Sequence, residues 1–171
     1  MGHTPRQEVR CPTVARFPHR SRNAVFSCPV SGSRGKPVEL QTVKALIKEH
    51  ALRRVNTEQH RFCPQADCEV VYFNAAGNQY TKDDVRVPVW EKEAFGDRMI
   101  CYCFGENEAS IRIDIERHGR SDAAGRVRQH IEAGRCACEV RNPRGVCCLG
   151  DVTAAVKRVA LSLHRVRTEA G

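Results

Sequence analysis

The pattern of apolar and polar residues predicts one helix and a β-hairpin in the first half of the chain. The helix is expected at about residues 42–54, where the apolar residues with helical spacing are Val43, Leu46 and Ile47. Residues 69–73 are predicted as a strand, residues 77–78 as its turn, and residues 85–90 as a second, alternating strand. Because proline has no backbone N–H, Pro88 would place this second strand at the edge of its sheet.

Two short helices are predicted in the second half. The alternation from Ile111 to Ile115 would also suit a strand, but these two residues are one helical turn apart. Gly119 then supplies a helix stop, so we predict a helix at about residues 106–118. A second helix is expected at about residues 122–133. Its apolar face and its end are marked by Val127, Ile131 and Gly134.

A last amphipathic helix is predicted at residues 151–167, with Asp151 as its N-cap. Its apolar stripe consists of Val152, Val156, Val159, Leu163 and Val166. The elements together define an α+β protein with three folded parts. These are a small α/β-hairpin subdomain at residues 28–97, a helix-turn-helix at residues 98–150, and a C-terminal helix at residues 151–171.

The length and the apolar content restrict the class of protein. The chain has 171 residues, which suits one ordinary domain or two very small ones. No apolar run approaches the roughly 20 residues that a membrane-spanning helix needs, so we expect no membrane insertion. The first residues also lack the continuous apolar stretch of a secretory signal, and we therefore expect the protein in the cytoplasm.

The positive charge is concentrated near the N-terminus. The net charge is +8, but residues 1–61 carry 12 Lys and Arg against 4 Asp and Glu, whereas residues 62–171 carry 16 of each. Residues 1–27 show neither helical nor strand periodicity, so we predict a mobile basic tail there. Since no nucleic-acid-binding motif occurs in the remainder, we expect no specific nucleic-acid partner.

Ten cysteines are several times the ordinary number for this length. In a reducing compartment, thiols at this density indicate metal binding rather than disulfides. Six of the ten lie within residues 98–150, in the groups Cys101-Tyr-Cys103, Cys136-Ala-Cys138 and Cys147-Cys148. Four thiolates can hold a [2Fe-2S] cluster or a zinc ion, and the spacing alone does not separate these alternatives.

An earlier set of cysteines, formed by Cys28, Cys63 and Cys68, suits a structural zinc ion with one ligand missing. Where a C-x-x-C pair would continue from Cys28, position 31 is serine, which is a poor zinc ligand. The candidates for the fourth ligand are His60, Asp67, Cys11 and water. Metal is favoured over inert buried thiols because these cysteines stand in turns beside polar residues.

Arginines accompany the later cysteines, whereas catalytic motifs are missing from the sequence. Arg135, Arg141 and Arg144 lie among the candidate ligands, and their positive charge would raise the reduction potential of a cluster and attract an acidic partner. No phosphate-binding loop, nucleophile elbow or zinc-protease helix occurs, so we expect a protein that is not an enzyme.

The cysteine motifs occur in a particular order along the chain. They are Cys28-Pro-Val-Ser-Gly32, Gly35-Lys36-Pro-Val38, Phe62-Cys63, Cys68-Glu-Val-Val-Tyr-Phe73, Cys101-Tyr-Cys-Phe-Gly105 and Asn142-Pro-Arg-Gly-Val-Cys-Cys-Leu-Gly150. Over roughly residues 28–150 this combination resembles the N-terminal domain of the CopZ-type copper chaperones. The resemblance implies one zinc ion and one [2Fe-2S] cluster, the latter in a half related to bacterioferritin-associated ferredoxin.

The resemblance also implies a set of ligands. The cluster ligands would be Cys101, Cys103, Cys138 and Cys148. The zinc ligands would be Cys28, Cys63 and Cys68. Cys136 and Cys147 are then spare, although the choice between Cys147 and Cys148 stays open. Some members of the family have cysteine where Ser31 stands here.

The function expected from the resemblance is that of a one-electron carrier or redox partner in copper handling. Its partner would be a redox or metal-trafficking protein. Full copper chaperones continue into a heavy-metal-associated domain with an M-x-C-x-x-C site, a motif that is missing from this sequence. The alternative is an interaction or redox-sensing module, in which the cluster is structural and the protein docks a metal transporter or regulator.

Overall fold

A four-stranded antiparallel sheet forms the centre of the first half of the structure, a computed structural model that describes residues 26–169. In order across the sheet, the strands are β1 (Lys36–Val38), β2 (His60–Phe62), β3 (Val70–Asn74) and β4 (Gln79–Thr81). Every residue of β3 is buried, so both faces of the sheet are covered there. Tyr72 belongs to a core with Phe62 and Tyr80, whereas Phe73 packs on the opposite face against cysteines.

The helix predicted at residues 42–54 is two helices. These are α1 (Leu40–Leu46) and α2 (Glu49–Leu52). Between them Ile47 and Lys48 are extended, with ψ angles of 135° and 155°. Ile47 pairs with Val85 in a single β-bridge, and the Lys48 N–H donates a 2.8 Å hydrogen bond to the carbonyl of Asp84. These long-range bonds replace helical ones, and for this reason the prediction of one continuous helix was wrong.

The predicted hairpin has the expected first strand and turn, but its second strand is earlier in the chain than predicted. Strand β4 pairs with β3, and residues 82–84 then form a single 3-10 turn. This turn is closed by a hydrogen bond of 3.0 Å from the Thr81 N–H to Oδ2 of Asp84. Beyond this turn, Val85 forms the single β-bridge to Ile47, and residues 86–90 form no strand. The predicted strand at residues 85–90, with Pro88 at the sheet edge, was therefore wrong.

The second half consists of a short hairpin and four helices. The elements are β5 (Met99–Cys101), β6 (Glu106–Asn107), α3 (Glu108–His118), α4 (Ala123–Glu132), α5 (Cys138–Arg141) and α6 (Leu149–Glu169). The two helices predicted at residues 106–118 and 122–133 are confirmed as α3 and α4. At the start of α3 the Asn107 side chain accepts a 2.8 Å hydrogen bond from the Ser110 N–H. Gly119 ends this helix with a φ of 74°, a conformation that favours glycine.

Helix α6 is the C-terminal amphipathic helix that the sequence predicts, and it packs against α3, α4 and β5. Val152, Ala155 and Val159 are fully buried in the core of the second half. Two details of the prediction were wrong. Asp151 lies inside the first turn of α6 and is therefore not its N-cap, and Val166, at the far end of the predicted stripe, is 64% exposed.

The two halves contact each other through α1, α5 and the loop that follows α5. The hydroxyl of Thr42 donates a 2.6 Å hydrogen bond to the carbonyl of Glu139. The hydroxyl of Tyr72 donates a 2.7 Å bond to the carbonyl of Pro143, and burial raises the pKa of this phenol. Each half nevertheless has its own apolar core, one around the sheet and one around α6.

Two predictions concern the chain outside these cores. A basic tail was predicted at residues 1–27, of which residues 1–25 lie outside the described part of the chain. In the part of the chain that the structure does describe, no helix combines the length and the apolar character needed to cross a bilayer.

Candidate metal centres

Three cysteines meet on one face of the sheet in the first half. We call Cys28, Cys63 and Cys68 the first thiol group. Their sulfur atoms all lie within 4.8 Å of one another, and those of Cys28 and Cys68 are 3.9 Å apart. All three residues are buried and pack against Val70 and Phe73. For a tetrahedral ion with metal–sulfur bonds of about 2.3 Å, neighbouring sulfurs are separated by about 3.8 Å, so this group has the spacing of a zinc site.

Turns and strand ends position the first thiol group. Cys28 begins a tight loop in which its carbonyl accepts a 2.8 Å hydrogen bond from the N–H of Gly32, a residue with a φ of 71°. Cys63 directly follows β2, and Cys68 stands two residues before β3. The buried ammonium of Lys92 donates hydrogen bonds of 2.7 Å and 2.9 Å to the carbonyls of Gln65 and Cys68. Lys92 therefore fixes the loop between the two strands, a role that the sequence analysis did not predict.

Ser31 lies beside the first thiol group, with its Oγ 3.4 Å from the sulfur of Cys63. His60 is buried elsewhere, beside Asn74 and the ring of Tyr80. Asp67 is exposed, and Cys11 lies outside the described residues. Among residues 26–169, no histidine, aspartate or glutamate joins the three thiols as a further ligand.

The pKa values of Cys28 and Cys63 in the first thiol group are shifted in opposite directions. Burial raises the pKa of Cys63, although the positive charge of Lys92 opposes this effect. Burial also acts on Cys28, but there the hydrogen bonds from Ser31 outweigh it and lower the pKa. One of these buried thiols therefore loses its proton readily, whereas another does not. A bound cation favours the thiolate form of all three thiols, so the group gains stability when it binds one.

A larger set of cysteines meets in the second half. We call Cys101, Cys103, Cys136, Cys138 and Cys148 the second thiol group. The sulfur atoms of Cys103, Cys136 and Cys138 all lie within 4.8 Å of one another. Those of Cys103 and Cys138 are 3.7 Å apart, and those of Cys136 and Cys138 are 3.3 Å apart. Cys101 and Cys148 are buried in the same core cluster as Cys138.

Three chain segments position the second thiol group. Cys101 ends β5, and Cys103 lies in the turn that joins β5 to β6. Cys138 is the first residue of α5, a short helix that the sequence analysis missed. Cys148 directly precedes α6, and its carbonyl accepts a 2.9 Å hydrogen bond from the N–H of Val152. The segments converge because all of them pack on the core around α6.

The thiols of the second group interact strongly. A hydrogen bond with Cys148 lowers the pKa of Cys138 to about 5 and that of Cys101 to about 7, and it raises the pKa of Cys148 itself. Burial raises the pKa of Cys103 to about 12. Without a cation, the thiolates formed at Cys138 and Cys101 suppress ionisation of the others. A bound metal centre would favour the thiolate form of its four ligands, which on the implied set are Cys101, Cys103, Cys138 and Cys148.

The structure can be compared with the ligand set that the resemblance implies. It brings Cys101, Cys103, Cys138 and Cys148 into one region. It adds Cys136, which had been considered spare; the second C-x-C at residues 136–138 was the signal that could have found it. Cys147 is exposed and lies outside the group, which favours Cys148 of this adjacent pair. All nine cysteines described by the structure are free thiols.

The three arginines near these thiols differ in their surroundings. Arg144 is held in ion pairs with Glu91, at 2.9 Å, and with Asp151, so its charge is largely compensated. Arg141 is exposed, and its guanidinium lies 3.4 Å from the carbonyl of Cys103. Arg135 is exposed as well. The exposed positive charge expected here therefore comes from Arg135 and Arg141, without a contribution from Arg144.

Comparisons with known proteins relate the chain to one family. Residues 26–86 match the zf_CopZ family, described as a zinc binding domain. The copper chaperone CopZ of Archaeoglobus fulgidus is 30% identical over an alignment of 150 residues, gaps included, which covers 81% of this chain and 71% of that protein. The X-ray structure of the Archaeoglobus fulgidus CopZ N-terminal domain is 31% identical and has a TM-score of 0.59. That comparison covers 71% of this chain and 91% of the domain.

The α+β fold and the buried thiols define a metal-binding protein whose first half is a zinc-binding domain. The similarity extends beyond this half and spans most of both compared chains. The chain belongs to the CopZ family.

Proposed function

We propose that this protein is a one-electron carrier or redox partner in copper handling, with one [2Fe-2S] cluster in the second thiol group and one zinc ion in the first. The second thiol group carries the proposal. The sulfurs of Cys103 and Cys138 are 3.7 Å apart, and Cys101 and Cys148 are buried in the same core cluster as Cys138. Copper handling is supported by the relative that is named a copper chaperone.

The second thiol group suits a [2Fe-2S] cluster because such a cluster takes two cysteine ligands on each of its two irons. Two sulfurs on one tetrahedral metal ion are separated by about 3.8 Å, close to the distance between Cys103 and Cys138. The N–H of Ala137 lies 3.4 Å from the sulfur of Cys103 and is placed to donate to a thiolate. When bound, the cluster would supply reversible one-electron chemistry.

The charges around the first thiol group suit zinc. Three thiolates and one Zn²⁺ together carry one negative charge. The ammonium of Lys92 lies beside the loop from Cys63 to Cys68 and is itself buried, so its positive charge offsets the excess. A buried site that is close to neutral avoids the cost of an uncompensated charge.

Metal content provides the direct test of this proposal. The full chain is purified anaerobically or reconstituted with iron and sulfide, and its iron, acid-labile sulfide and zinc are measured. We expect about two irons, two sulfides and one zinc per chain, together with a visible absorption band and an EPR signal after reduction. A colourless protein that binds only zinc after reconstitution would contradict the cluster assignment.

The position of the second thiol group supports electron transfer. Cys101, Cys138 and Cys148 are buried, whereas Cys103 and Cys136 are only half-buried, so one side of the group lies near the surface. A cluster near the surface can exchange an electron with a docked partner without a large change of structure. The proposal therefore requires a reduction that is reversible and leaves the iron content unchanged.

A second candidate function is an interaction module in which the cluster is structural. A pocket of about 380 Å³ favours it, and this pocket lies between the two halves, beside the second thiol group. Its lining residues include Leu46, Pro88, Met99, Tyr102 and Val140. A partner could bury an apolar side chain there. A cluster that no donor of about −400 mV reduces would support this alternative over electron transfer.

A further inference from the structure

Cys136, which the resemblance leaves without a role, lies beside the candidate cluster ligand Cys138. Its sulfur is 3.3 Å from that of Cys138, and it is within 4.8 Å of the sulfur of Cys103. The second thiol group therefore holds five sulfurs, one more than a [2Fe-2S] cluster binds. The fifth sulfur lies next to the pair formed by Cys103 and Cys138.

The chain around Cys136 allows this sulfur to move. Residues 135–137 belong to no helix or strand, and Cys136 is only half-buried. Only Ala137 separates the two cysteines, and with its φ of −141° and ψ of 44° their sulfurs lie 3.3 Å apart. Because the N–H of Ala137 is held 3.4 Å from the sulfur of Cys103, the loop keeps both neighbouring thiols at the same edge of the group.

Cys138 is nevertheless the better placed of the two residues for the intact protein. It is 4% exposed, it starts α5, and it packs in the same buried core cluster as Cys148. Cys136 has none of these constraints. A ligand that is already ordered loses less conformational freedom on binding metal, so Cys138 is favoured while both are present.

We infer that Cys136 is a reserve ligand, which takes the coordination position of Cys138 when the sulfur of Cys138 is lost. This inference rests on the proposed function, because it requires a cluster in the second thiol group. It assigns a role to a thiol that the resemblance leaves unused. The adjacent pair of Cys147 and Cys148 offers no such reserve, because Cys147 is exposed and outside the group.

Alanine variants of the full chain, reconstituted anaerobically, test the inference. We expect C136A to hold about two irons per chain with the wild-type spectrum. C138A should also hold about two irons, with visible and EPR spectra shifted by the change of ligand. C136A/C138A should lose the cluster. C138A/C147A has the same number of thiols as that double variant and should keep it.

The outcomes separate the inference from the proposed function. Wild-type protein without iron would contradict the proposed function itself. A wild-type cluster that is missing from folded C138A, or present in C136A/C138A, would overturn the reserve role of Cys136. Far-UV circular dichroism and zinc content report on the folding of each variant.

A second pair of variants guards against poor folding of C138A. Cys138→Ser nearly preserves the volume of the buried side chain, and C138S should give the same spectra as C138A because the sulfur of Cys136, and not the serine oxygen, is the ligand. C136A/C138S should then lose the cluster. Loss of the cluster from both C138A and C138S would refute the inference.

Discussion

The phenol of Tyr72 donates a 2.7 Å hydrogen bond to the carbonyl of Pro143, although 71 residues separate them in the chain. Tyr72 lies in the sheet of the first half, and Pro143 in the loop between α5 and Cys148. Both residues are buried. The bond therefore fixes the loop that leads from α5 to Cys148 against the core of the zinc-binding half.

Replacing Tyr72 with phenylalanine should reduce stability. The substitution leaves the buried carbonyl of Pro143 without its hydrogen bond, and we expect the free energy of unfolding to fall by about 1–3 kcal/mol. Urea unfolding followed by circular dichroism measures this change. Tyr80→Phe is the matched control, since its hydroxyl is equally buried but has no hydrogen-bond partner among the described residues. Equal losses in the two variants would contradict a specific role for the Tyr72 bond.

Lys92 should influence how tightly zinc is held. Lys92→Met keeps most of the side-chain length but removes the charge and the two hydrogen bonds to the carbonyls of Gln65 and Cys68. We expect faster loss of zinc to a chromophoric chelator. Lys82→Met serves as the control, because Lys82 forms an exposed ion pair with Glu69. Unchanged zinc release in K92M would show that this ammonium does not stabilise the site.

The adjacent cysteines before α6 should differ in effect. Cys148 is 1% exposed and belongs to the second thiol group, whereas Cys147 is exposed. C148A should therefore lose the cluster, and C147A should keep the wild-type iron and sulfide content. Iron analysis and visible absorption distinguish these results. The opposite pattern would assign the ligand to Cys147.

Asp84 should make stability depend on pH. Burial raises its pKa, but hydrogen bonds from the Thr81 N–H and from Arg54 and His50 outweigh burial and lower it. A depressed pKa in the folded state gives stability that is present at neutral pH and lost as the pH falls through that pKa. Urea unfolding should show D84N clearly less stable than wild type at pH 7, with a smaller difference near pH 3. Asp83→Asn, at an exposed neighbour, should leave the profile unchanged.

Arg141 should speed reduction by an acidic donor. Its exposed guanidinium lies beside the carbonyl of Cys103, at the side of the second thiol group that is nearest to solvent. In stopped-flow measurements, R141Q should be reduced severalfold more slowly at low ionic strength, and salt should abolish the difference. Arg117→Gln, at the C-terminal end of α3, is the control. Equal rates for R141Q and wild type at low salt would exclude docking at this arginine.

The parts of the fold that were predicted correctly depend on local sequence. Helix α3 has its capping residue and Gly119 at its two ends, and Gly77 forms the turn of the β3–β4 hairpin with a φ of 91°. The stripe of α6 was correct wherever this helix faces α3 and α4. Such signals lie within a few residues of the element that they specify.

The errors arise from contacts between residues that are distant in the chain. Ile47 leaves the helix because it pairs with Val85, 38 residues later. Strand β2, which the sequence analysis did not predict, is too short to show a period and is defined by its two neighbours. Cys136 was considered spare because the resemblance implies Cys138 as the ligand, and only the folded chain shows the sulfur of Cys136 beside that of Cys138.

Cys148 directly precedes α6, and its carbonyl accepts a hydrogen bond from the Val152 N–H in the first turn of that helix. During synthesis, we therefore expect the second thiol group to be completed only when α6 has packed on α3 and α4. On the proposed assignment, iron and sulfide are then inserted as a late step, into a chain that is already folded. A nascent chain stalled before α6 would not accept a cluster, whereas its zinc-binding half would already be complete.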